Sequence, residues 1–331
     1  MTCKVTISEN HDGRRLDRTI RSIWPALPLS FIMRALRKGE VRLDSARVRV
    51  AGTRVCSGQE LYVPWETPDV EAGRAESAIR HYGSLRWGDV PVLWNDDNVA
   101  VVNKPANLLV QPDTKGGDSV VTRIWSMFGG KEAGFAPAAV HRLDRNTTGV
   151  MIIALSGEAL RELERLFRER KVMKRYLAVV VGELPKKGVI DAPLLKDEAR
   201  NTVSVVKEKA GKTALTRYER LRVKEVFSGD VLSLASVELM TGRTHQARVH
   251  MAHIGHPILG DRKYGDIEVN RRWRKVARPL LHAFELKFPD ALSGALSEIS
   301  GKRFRAELPE DMVTFFGKEN FGGKGFGNFT L

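Results

Sequence analysis

The first sixty residues carry apolar positions at helical spacing, separated by arginines. Leu16, Ile20 and Ile23 recur every three or four residues and predict an amphipathic helix with a basic outer face. Pro25 and Pro28 interrupt this pattern. A second helix is predicted beyond them, capped by Ser30 and ended by Lys38-Gly39, with an apolar face formed by Ile32, Ala35 and Leu36.

Two short strands complete this N-terminal stretch. They are predicted at residues 41–43 and 48–50, around an Asp44-Ser45 turn. Ten basic residues against three acidic ones between residues 14 and 50 give the stretch one strongly basic face. The pattern indicates a small module that ends near Pro64, followed by a polar linker that begins at Glu66.

From residue 90 onward, short apolar runs typical of strands replace the helical pattern. The predicted strands cover residues 90–94, 99–103, 151–155, 176–181 and 231–239. Ser156 is placed to cap a helix that runs to about Arg170 and carries Leu160, Leu163 and Phe167 on its apolar face. Many strands with few helices predict an α+β domain rather than regular βαβ winding. The glycine-rich residues from Gly317 predict a flexible tail.

Composition indicates a globular protein with a polyanionic partner. The 331 residues, 42% hydrophobic and 28% charged, suffice for about two domains. Lys and Arg exceed Asp and Glu, 54 to 40, and the formal net charge of +14 favours nucleic acid as a partner. Cys3 and Cys56 are too few for a disulfide framework or a thiolate metal cage. Without a signal peptide or a membrane-length apolar run, a cytoplasmic protein is expected.

The segment His141-Arg142-Leu143-Asp144-Arg145-Asn146-Thr147-Thr148-Gly149 holds a carboxylate between two arginines. Adjacent cations favour the ionised form of Asp144, and such a carboxylate serves as a nucleophile or a base. The alternative is structural: Asp144 or Asn146 ties a tight loop and Gly149 takes a positive φ. The local composition alone favours the turn.

A second polar segment covers residues 241–257 and contains four histidines. Thr244 is placed to cap a short helix that Gly255 and Pro257 stop. The histidine spacing does not match a zinc motif and no cysteine lies nearby, so no metal site is expected. Arg243 and Arg248 are better explained as partners of a protein carboxylate or of phosphate, with a solvated basic helix face as the alternative.

Signatures of nucleotide cofactors are missing from the sequence. It contains no GxGxxG, no GxxxxGK[ST] and no GxSxG, which removes the main support for a dehydrogenase, a P-loop NTPase or an α/β-hydrolase. Tyr176, in Lys174-Arg175-Tyr176, is placed either to stack on a base or to lie in the core, and the residues alone favour the core.

Taken together, these segments resemble the RluA-type pseudouridine synthases, which isomerise uridine in ribosomal and transfer RNA. The matching segments are Asn103-Lys104-Pro105, residues 141–149, Lys174-Arg175-Tyr176-Leu177-Ala178, Gly242-Arg243-Thr244-His245-Gln246, Gly255-His256-Pro257-Ile258, Gly260-Asp261, Lys263-Tyr264-Gly265 and Leu281-His282-Ala283. The N-terminal module, with Arg37-Lys38-Gly39-Glu40-Val41, resembles the alpha-L (S4-type) RNA-binding motif. One short match would be weak, whereas this many in order are specific.

The resemblance implies an α+β pseudouridine-synthase fold with a curved, mostly antiparallel mixed sheet and a central RNA cleft. It divides the chain into an S4-type domain at 12–64, a linker at 65–88, a catalytic domain at 89–316 and a tail at 317–331. It also implies that no metal, nucleotide or other cofactor is needed, since the reaction involves no redox change.

Site residues follow from the matching positions. The resemblance implies that Asp144 is the catalytic aspartate, Tyr176 the active-site aromatic, Arg248 the cation on the aspartate and Leu281 part of the apolar wall. The residues expected to bind RNA are Arg142, Arg243, His245, Gln246, Arg34, Arg37 and Lys38. Arg142 is expected to occupy the space that a flipped-out uridine vacates. Three positions depart from the usual pattern, namely Gln111 for histidine, Thr148 for serine and Ala247 for a bulkier aliphatic residue.

The expected function is isomerisation of specific uridines in 23S ribosomal RNA by a monomeric cytoplasmic enzyme. The region of Lys263-Tyr264-Gly265-Asp266 resembles the RluC-like branch, which modifies the large subunit. Two alternatives stay open at this point: a synthase of the same chemistry acting on tRNA, and a non-catalytic RNA-binding factor for ribosome assembly, which would need the cleft but not Asp144.

Overall fold

The computed structural model describes residues 3–24, 29–65, 90–112, 117–128, 135–207, 210–226 and 229–316. Most of the predicted linker and the whole predicted tail lie outside these ranges. Among the described residues, no helix has the length and apolar character needed to cross a membrane.

Residues 3–65, here called the N-terminal unit, fold around a core of their own. Two helices, α1 (Leu16–Ile23) and α2 (Leu29–Lys38), pack against a sheet of order β1-β4-β2-β3, whose strands are Cys3–Thr6, Glu60–Val63, Arg42–Leu43 and Ala46–Arg47. The predicted apolar faces of both helices are buried in this core. The sheet includes β1, which lies before the expected domain start at residue 12.

Two local predictions in this unit are wrong. Helix α2 begins at Leu29, so the expected cap Ser30 lies inside its first turn. The second strand of the hairpin is Ala46–Arg47 rather than residues 48–50. Asp44 and Ser45 both have positive φ, 47° and 71°, and such a two-residue turn brings the chain back into pairing at once.

Within the described residues, a ten-stranded mixed sheet organises residues 90–316. Its order is β10-β13-β14-β9-β15-β8-β6-β5, with β16 on β15 and β7 on β8. All pairings are antiparallel except that of β15 with β8, so the prediction of a mostly antiparallel mixed sheet is confirmed. The strands are β5 (Val92–Asn95), β6 (Val99–Lys104), β7 (Ala138–Ala139), β8 (Thr148–Ala154), β9 (Met173–Val181), β10 (Lys187–Asp191), β13 (Leu215–Glu225), β14 (Val231–Leu239), β15 (Leu281–Lys287) and β16 (Arg303–Arg305).

Five helices and a small hairpin complete this part of the chain as described. The helices are α3 (Val120–Phe128), α4 (Gly157–Arg168), α5 (Gln246–His253), α6 (Ile267–Arg272) and α7 (Glu310–Phe316). The hairpin pairs β11 (Leu194–Asp197) with β12 (Thr202–Val205). Ser156 caps α4 as predicted, because its hydroxyl accepts the N–H of Ala159.

The central strand β8 is apolar at nearly every position because both faces of the sheet are covered. Met151 and Ile153 contribute to a core on one face, which includes residues of α3 and α5. Val150, Ile152 and Ala154 contribute to the core on the other face, under α4. Successive side chains of a strand point to opposite faces, so the apolar run at 150–155 reflects burial on both sides.

The segment 141–147 leads into β8 beside β15. Gly149 has φ 117° and pairs with Ala283 of β15, and a Cβ at this position would lie 2.1 Å from the carbonyl oxygen of Ala283. Only glycine fits this close approach of two parallel strands. The pairing places the segment that contains Asp144 next to Leu281, where β15 begins.

Candidate active site

A cavity of ≈ 560 Å³ lies where the 141–147 segment, β9, β15 and the start of α5 meet. Its lining contains every site residue predicted outside the N-terminal unit, namely Arg142, Asp144, Tyr176, Arg243, His245, Gln246, Arg248 and Leu281. The structure therefore brings together residues that lie up to about 140 positions apart in the sequence.

Asp144 sits at the corner of a tight turn with its carboxylate toward the cavity. The turn is closed by the backbone, through the N–H of Thr147 and the carbonyl of Asp144 at 3.0 Å. The structural alternative of a tight turn is thus correct for the backbone, but the carboxylate is not what ties it. Oδ2 of Asp144 instead accepts a hydrogen bond of 3.0 Å from Nη1 of Arg248.

The cation paired with Asp144 is therefore remote in sequence. Arg248 lies 104 residues further along the chain. Within the described ranges, neither Arg142 nor Arg145 forms an ion pair with Asp144, and Arg145 turns its Nε toward the carbonyl of Asn107 at 3.5 Å. The arginines adjacent to Asp144 in sequence are therefore not its partners, whereas Arg248, the cation implied by the family resemblance, is.

Arg248 is held from behind by a second carboxylate, that of Asp261. Nε donates to Oδ2 at 2.7 Å and Nη2 donates to Oδ1 at 2.8 Å, and Asp261 is fully buried. Burial works to lower the pKa of Arg248, but the hydrogen bonds and charge of Asp261 and Asp144 outweigh it and raise that pKa. The guanidinium is therefore permanently charged and fixed in direction.

Asp261 contributes to the site through Arg248, and no role was predicted for it. Burial tends to raise its pKa, but Arg248 and the backbone N–H groups of Lys263 and Tyr264 bring that pKa below its ordinary value. The signal was present in Gly260-Asp261, one of the matching segments. Its pairing with Arg248 is visible only in three dimensions.

Lys104 supports the turn of Asp144 from beneath. It is fully buried, and its Nζ donates to the carbonyls of Pro105 and Arg145, each at 2.9 Å. Burial lowers the pKa of Lys104 to about 7, although the charge of Asp144 acts in the opposite direction. A lysine at the end of a buried strand, just before a proline, was the sequence signal for this role.

Tyr176 and Leu281 line the apolar side of the cavity. Both belong to the core on the α3 and α5 face of the sheet, and Tyr176 is 8% exposed. Burial, and secondarily the charge of Asp144, raises the pKa of Tyr176, so its hydroxyl stays protonated at neutral pH. The ring supplies a flat apolar surface against which a base can stack.

The side-chain amide of Gln246 is fully hydrogen-bonded inside the protein. Its amide oxygen accepts from Thr241 Oγ1 and from the N–H of Arg243, and its amide nitrogen donates to the carbonyl of Leu215 and to Thr216 Oγ1. Both acceptor positions and both N–H groups are thereby used inside the protein. Gln246 therefore braces the start of α5 at the edge of the cavity.

His245, not Thr244, occupies the N-cap position of α5, so the predicted cap is wrong. Its φ is 54°, a left-handed conformation unusual for a residue other than glycine. Nδ1 lies 2.7 Å from the hydroxyl of Tyr264, and Nε2 lies 3.8 Å from Oδ1 of Asp144. Arg243, by contrast, is half-buried at the cavity, and its Nε–H donates to the carbonyl of Thr213 at 3.0 Å.

Two other histidines of this segment have structural partners. His250 is buried between Thr216 Oγ1 and the carbonyl of Ala192, both at 2.9 Å, and His256 Nδ1 lies 3.0 Å from the carbonyl of Val181. Over the ranges described above, no group of three or more His, Cys, Asp or Glu residues could hold a metal ion.

The three positions that depart from the family pattern lie behind or away from the cavity. Thr148 Oγ1 is buried 2.8 Å from His282 Nδ1, Ala247 is buried in the core, and Gln111 is exposed. Arg34, Arg37 and Lys38 are exposed on α2, on the side opposite its buried face, and do not line this cavity.

Comparison with known proteins defines the class. A family model described as RNA pseudouridylate synthase matches residues 98–253. The chain is 34% identical over 302 residues to ribosomal large subunit pseudouridine synthase C of Escherichia coli, covering 89% of this chain and 91% of that protein. It is 31% identical over 321 residues to synthase D of Vibrio cholerae, covering 93% and 92%.

Solved structures agree with this assignment. The structure of human RNA pseudouridylate synthase domain containing 4 matches with a TM-score of 0.52 and 27% identity, over 72% of this chain and 93% of that one. The protein is a pseudouridine synthase, an isomerase that requires no second substrate. Within that class, the chain belongs to the RluA-type family.

Proposed function

We propose that the protein converts specific uridines of 23S ribosomal RNA to pseudouridine, with Asp144 as the reacting carboxylate. The observation that carries the proposal is the carboxylate itself: it faces a cavity and is fixed by an arginine that is in turn fixed by Asp261. A carboxylate placed in this way is suited to a sugar centre that becomes cation-like.

The reaction is an internal exchange of bonds. The bond between N1 and C1′ breaks, the uracil turns, and C5 forms a new bond to C1′. The proton on C5 is then lost, and N1 gains a proton. Asp144 serves either by adding to C1′ or by removing the proton on C2′, and both routes require it to be ionised and directed at the ribose.

The other cavity residues bind and orient the nucleotide. The ring of Tyr176 stacks on the uracil, and its raised pKa suits a neutral hydroxyl rather than a resting base. Leu281 completes the apolar wall. Arg142, two residues before Asp144, occupies the space that the target base leaves in the RNA. Arg243 contributes positive charge at the cavity toward phosphate.

We further propose that the N-terminal unit is an S4-type domain that binds structured RNA through phosphates. Support comes from the exposed cations of α2 and from the strong basic excess of residues 14–50. Relatives named as large-subunit ribosomal RNA synthases favour ribosomal RNA over tRNA. We expect the protein to act in the cytoplasm as a monomer.

Replacement of the carboxylate tests the enzyme proposal. In cells that lack the gene, pseudouridines are mapped by carbodiimide treatment and primer extension, and the wild-type gene, Asp144→Asn or the exposed control Glu268→Gln is restored. We expect the signal at 23S positions to return with wild type and control only, while purified Asp144→Asn still binds the RNA. Activity in Asp144→Asn would contradict the role of the carboxylate. If cells that lack the gene lose pseudouridines from tRNA instead of 23S RNA, the substrate is tRNA.

A further inference from the structure

We infer that His245 binds the 2′-hydroxyl of the target ribose and so selects RNA over DNA at the reacting nucleotide. The inference rests on the proposed function, because it needs Asp144 to face C1′ and C2′ of that ribose. Three features of the cavity support it: the proton position on the imidazole, the gap between His245 and Asp144, and the constrained backbone.

The proton position follows from Tyr264. The hydroxyl oxygen of Tyr264 accepts the backbone N–H of Val203 at 2.9 Å and lies 2.7 Å from Nδ1 of His245. Because the oxygen already accepts from Val203, we assign its hydrogen to the bond with Nδ1, which then acts as the acceptor. A neutral imidazole that accepts at Nδ1 carries its hydrogen on Nε2. Nε2 is therefore a hydrogen-bond donor that faces the cavity.

The ring is neutral at physiological pH. Burial lowers the pKa of His245, and the positive charges of Arg248 and Lys263 act in the same direction, against the opposing charge of Asp144. A neutral donor next to a carboxylate stabilises a polar ligand without forming a competing salt bridge. His245 thus leaves Asp144 available for the ribose.

The gap between the two side chains has the dimensions of a hydroxyl site. Nε2 of His245 lies 3.8 Å from Oδ1 of Asp144, too far for a direct hydrogen bond. One hydroxyl oxygen placed about 2.8 Å from both atoms would accept from Nε2–H and donate to Oδ1. Oδ2 is already bound by Arg248, so Oδ1 is the oxygen that remains for the substrate.

On the target nucleotide, the group in that position is the 2′-hydroxyl. It is attached to C2′, the carbon next to C1′, and the proposed chemistry brings Asp144 to both. A deoxyribose would leave the N–H of His245 and the carboxylate oxygen facing each other across an empty gap. A site built to bind a hydroxyl discriminates strongly against the analogue that lacks it.

The left-handed backbone of His245 indicates that the fold fixes the position of its imidazole ring. A residue other than glycine in the left-handed region persists only where its surroundings enforce it, and such residues concentrate at functional sites. The residue that follows His245, Gln246, is anchored by four hydrogen bonds of its side-chain amide. The hydroxyl of Tyr264 holds the imidazole ring of His245. The conformation places the imidazole beside Asp144.

The test compares two substrates in each protein variant. A hairpin of 23S sequence carries the mapped uridine with either ribose or 2′-deoxyribose at that single nucleotide. Pseudouridine formation is followed under single-turnover conditions for the full-length wild type, His245→Asn, Tyr264→Phe and the exposed control His253→Asn. Asparagine tolerates the left-handed backbone but is too short to reach the Nε2 position.

We expect the ribose-to-deoxyribose rate ratio to fall on the order of tenfold to a hundredfold in His245→Asn, chiefly through slower reaction of the ribose substrate. Tyr264→Phe should lower the ratio less. It keeps the imidazole of His245 but removes the hydroxyl that fixes the ring hydrogen on Nε2. His253→Asn should keep the wild-type ratio. Intrinsic differences between the two sugars cancel, since they are common to every variant.

An unchanged ratio in His245→Asn, with both substrates slowed equally, would overturn the inference and leave His245 a purely structural role. If His245→Asn proved unfolded, an unchanged ratio in folded Tyr264→Phe would overturn it as well. A wild type that binds the ribose hairpin but forms no pseudouridine would instead overturn the proposed function, which separates the two failures.

Discussion

The carboxylate of Asp261 and the guanidinium of Arg248 face each other through two parallel hydrogen bonds of 2.7 and 2.8 Å, buried beneath the cavity. This bidentate pair fixes the plane of the guanidinium and leaves Nη1 directed at Asp144. Asp261 thus helps to position Asp144, the proposed reacting carboxylate, without contacting it. Such an arrangement makes the contribution of Asp261 measurable.

Asp261→Asn is expected to reduce the rate of pseudouridine formation by on the order of tenfold to a hundredfold, because Arg248 loses a charged hydrogen-bond partner. Single-turnover kinetics on a 23S transcript measure this effect, and filter binding should give an unchanged RNA affinity. Asp266→Ala is the matched control. It removes the cap of α6, where Asp266 accepts the N–H of Val269, and should cost about 1 kcal/mol of stability without slowing the reaction.

A purely structural role for Asp261 would appear as equal losses in stability for the two variants with no difference in rate. Equal single-turnover rates for Asp261→Asn and wild type would therefore contradict the positioning role.

Lys104 is expected to make the stability of the protein depend on pH in the alkaline range. Its pKa is about 7 in the folded protein, against 10.5 for an ordinary lysine. Between these values the unfolded chain holds a proton that the folded protein has released, so stability rises with pH. Below pH 7 both forms are protonated and the contribution becomes constant.

The measurement is the free energy of urea unfolding of wild type and Lys104→Met at pH 7.5, 8.5 and 9.5. The difference between them should shift in favour of wild type by up to about 1.4 kcal/mol per pH unit. Lys187→Met, at an exposed lysine, should show no such trend. A difference between wild type and Lys104→Met that stays constant over this range would show that the folded lysine keeps its proton.

Arg278 is expected to connect the C-terminal helix α7 to the active-site segment. It donates to both carboxylate oxygens of Asp311, at 2.7 and 2.6 Å, and its Nη1 reaches the carbonyls of Asn146 and Leu281, each at 3.3 Å. Asp311→Asn should slow catalysis several-fold, on the scale of one weakened charged hydrogen bond. Arg278→Met should slow it more, because the carbonyl contacts are lost too.

Glu310→Gln, one residue earlier on the same helix, controls for the loss of charge and should leave the rate unchanged. The rates are compared on the 23S transcript at saturating enzyme. Equal rates for Asp311→Asn and Glu310→Gln would mean that α7 does not influence the cavity.

The exposed cations of α2 are expected to bind phosphate. Reversing Arg34, Arg37 and Lys38 to glutamate should weaken binding of a 23S transcript and reduce the slope of log affinity against log salt by roughly two to three. The same charge change at Arg271, Arg274 and Lys275 serves as the comparison. If both triple variants keep the wild-type slope, or if both reduce the slope to the same extent, the N-terminal unit does not supply a specific phosphate-binding face.

Much of the secondary structure was predictable because burial is periodic in the sequence. Strand β14 spans the predicted residues 231–239, and Ser156 caps α4 as expected. The predictions that failed depend on single turn residues. The left-handed turn at Asp44 and Ser45 returns the chain to pairing at Ala46, two residues sooner than expected, and His245 rather than Thr244 occupies the N-cap of α5. Left-handed backbone at a residue other than glycine leaves no periodic trace in the sequence.

The sequence by itself determined the family, the class of reaction and the presence of Asp144, Tyr176, Arg248 and Leu281 in ordered motifs. Only the tertiary structure decided that Arg248 is the cation bound to Asp144 and that Asp261 fixes this cation. It also decided that the amide of Gln246 has all its hydrogen bonds within the protein. Finally, it placed His245 opposite Asp144 across a gap the size of a hydroxyl. The reason is physical. Periodicity and motifs record each residue's local environment, whereas hydrogen bonds between segments about a hundred residues apart depend on how the strands are ordered in the sheet.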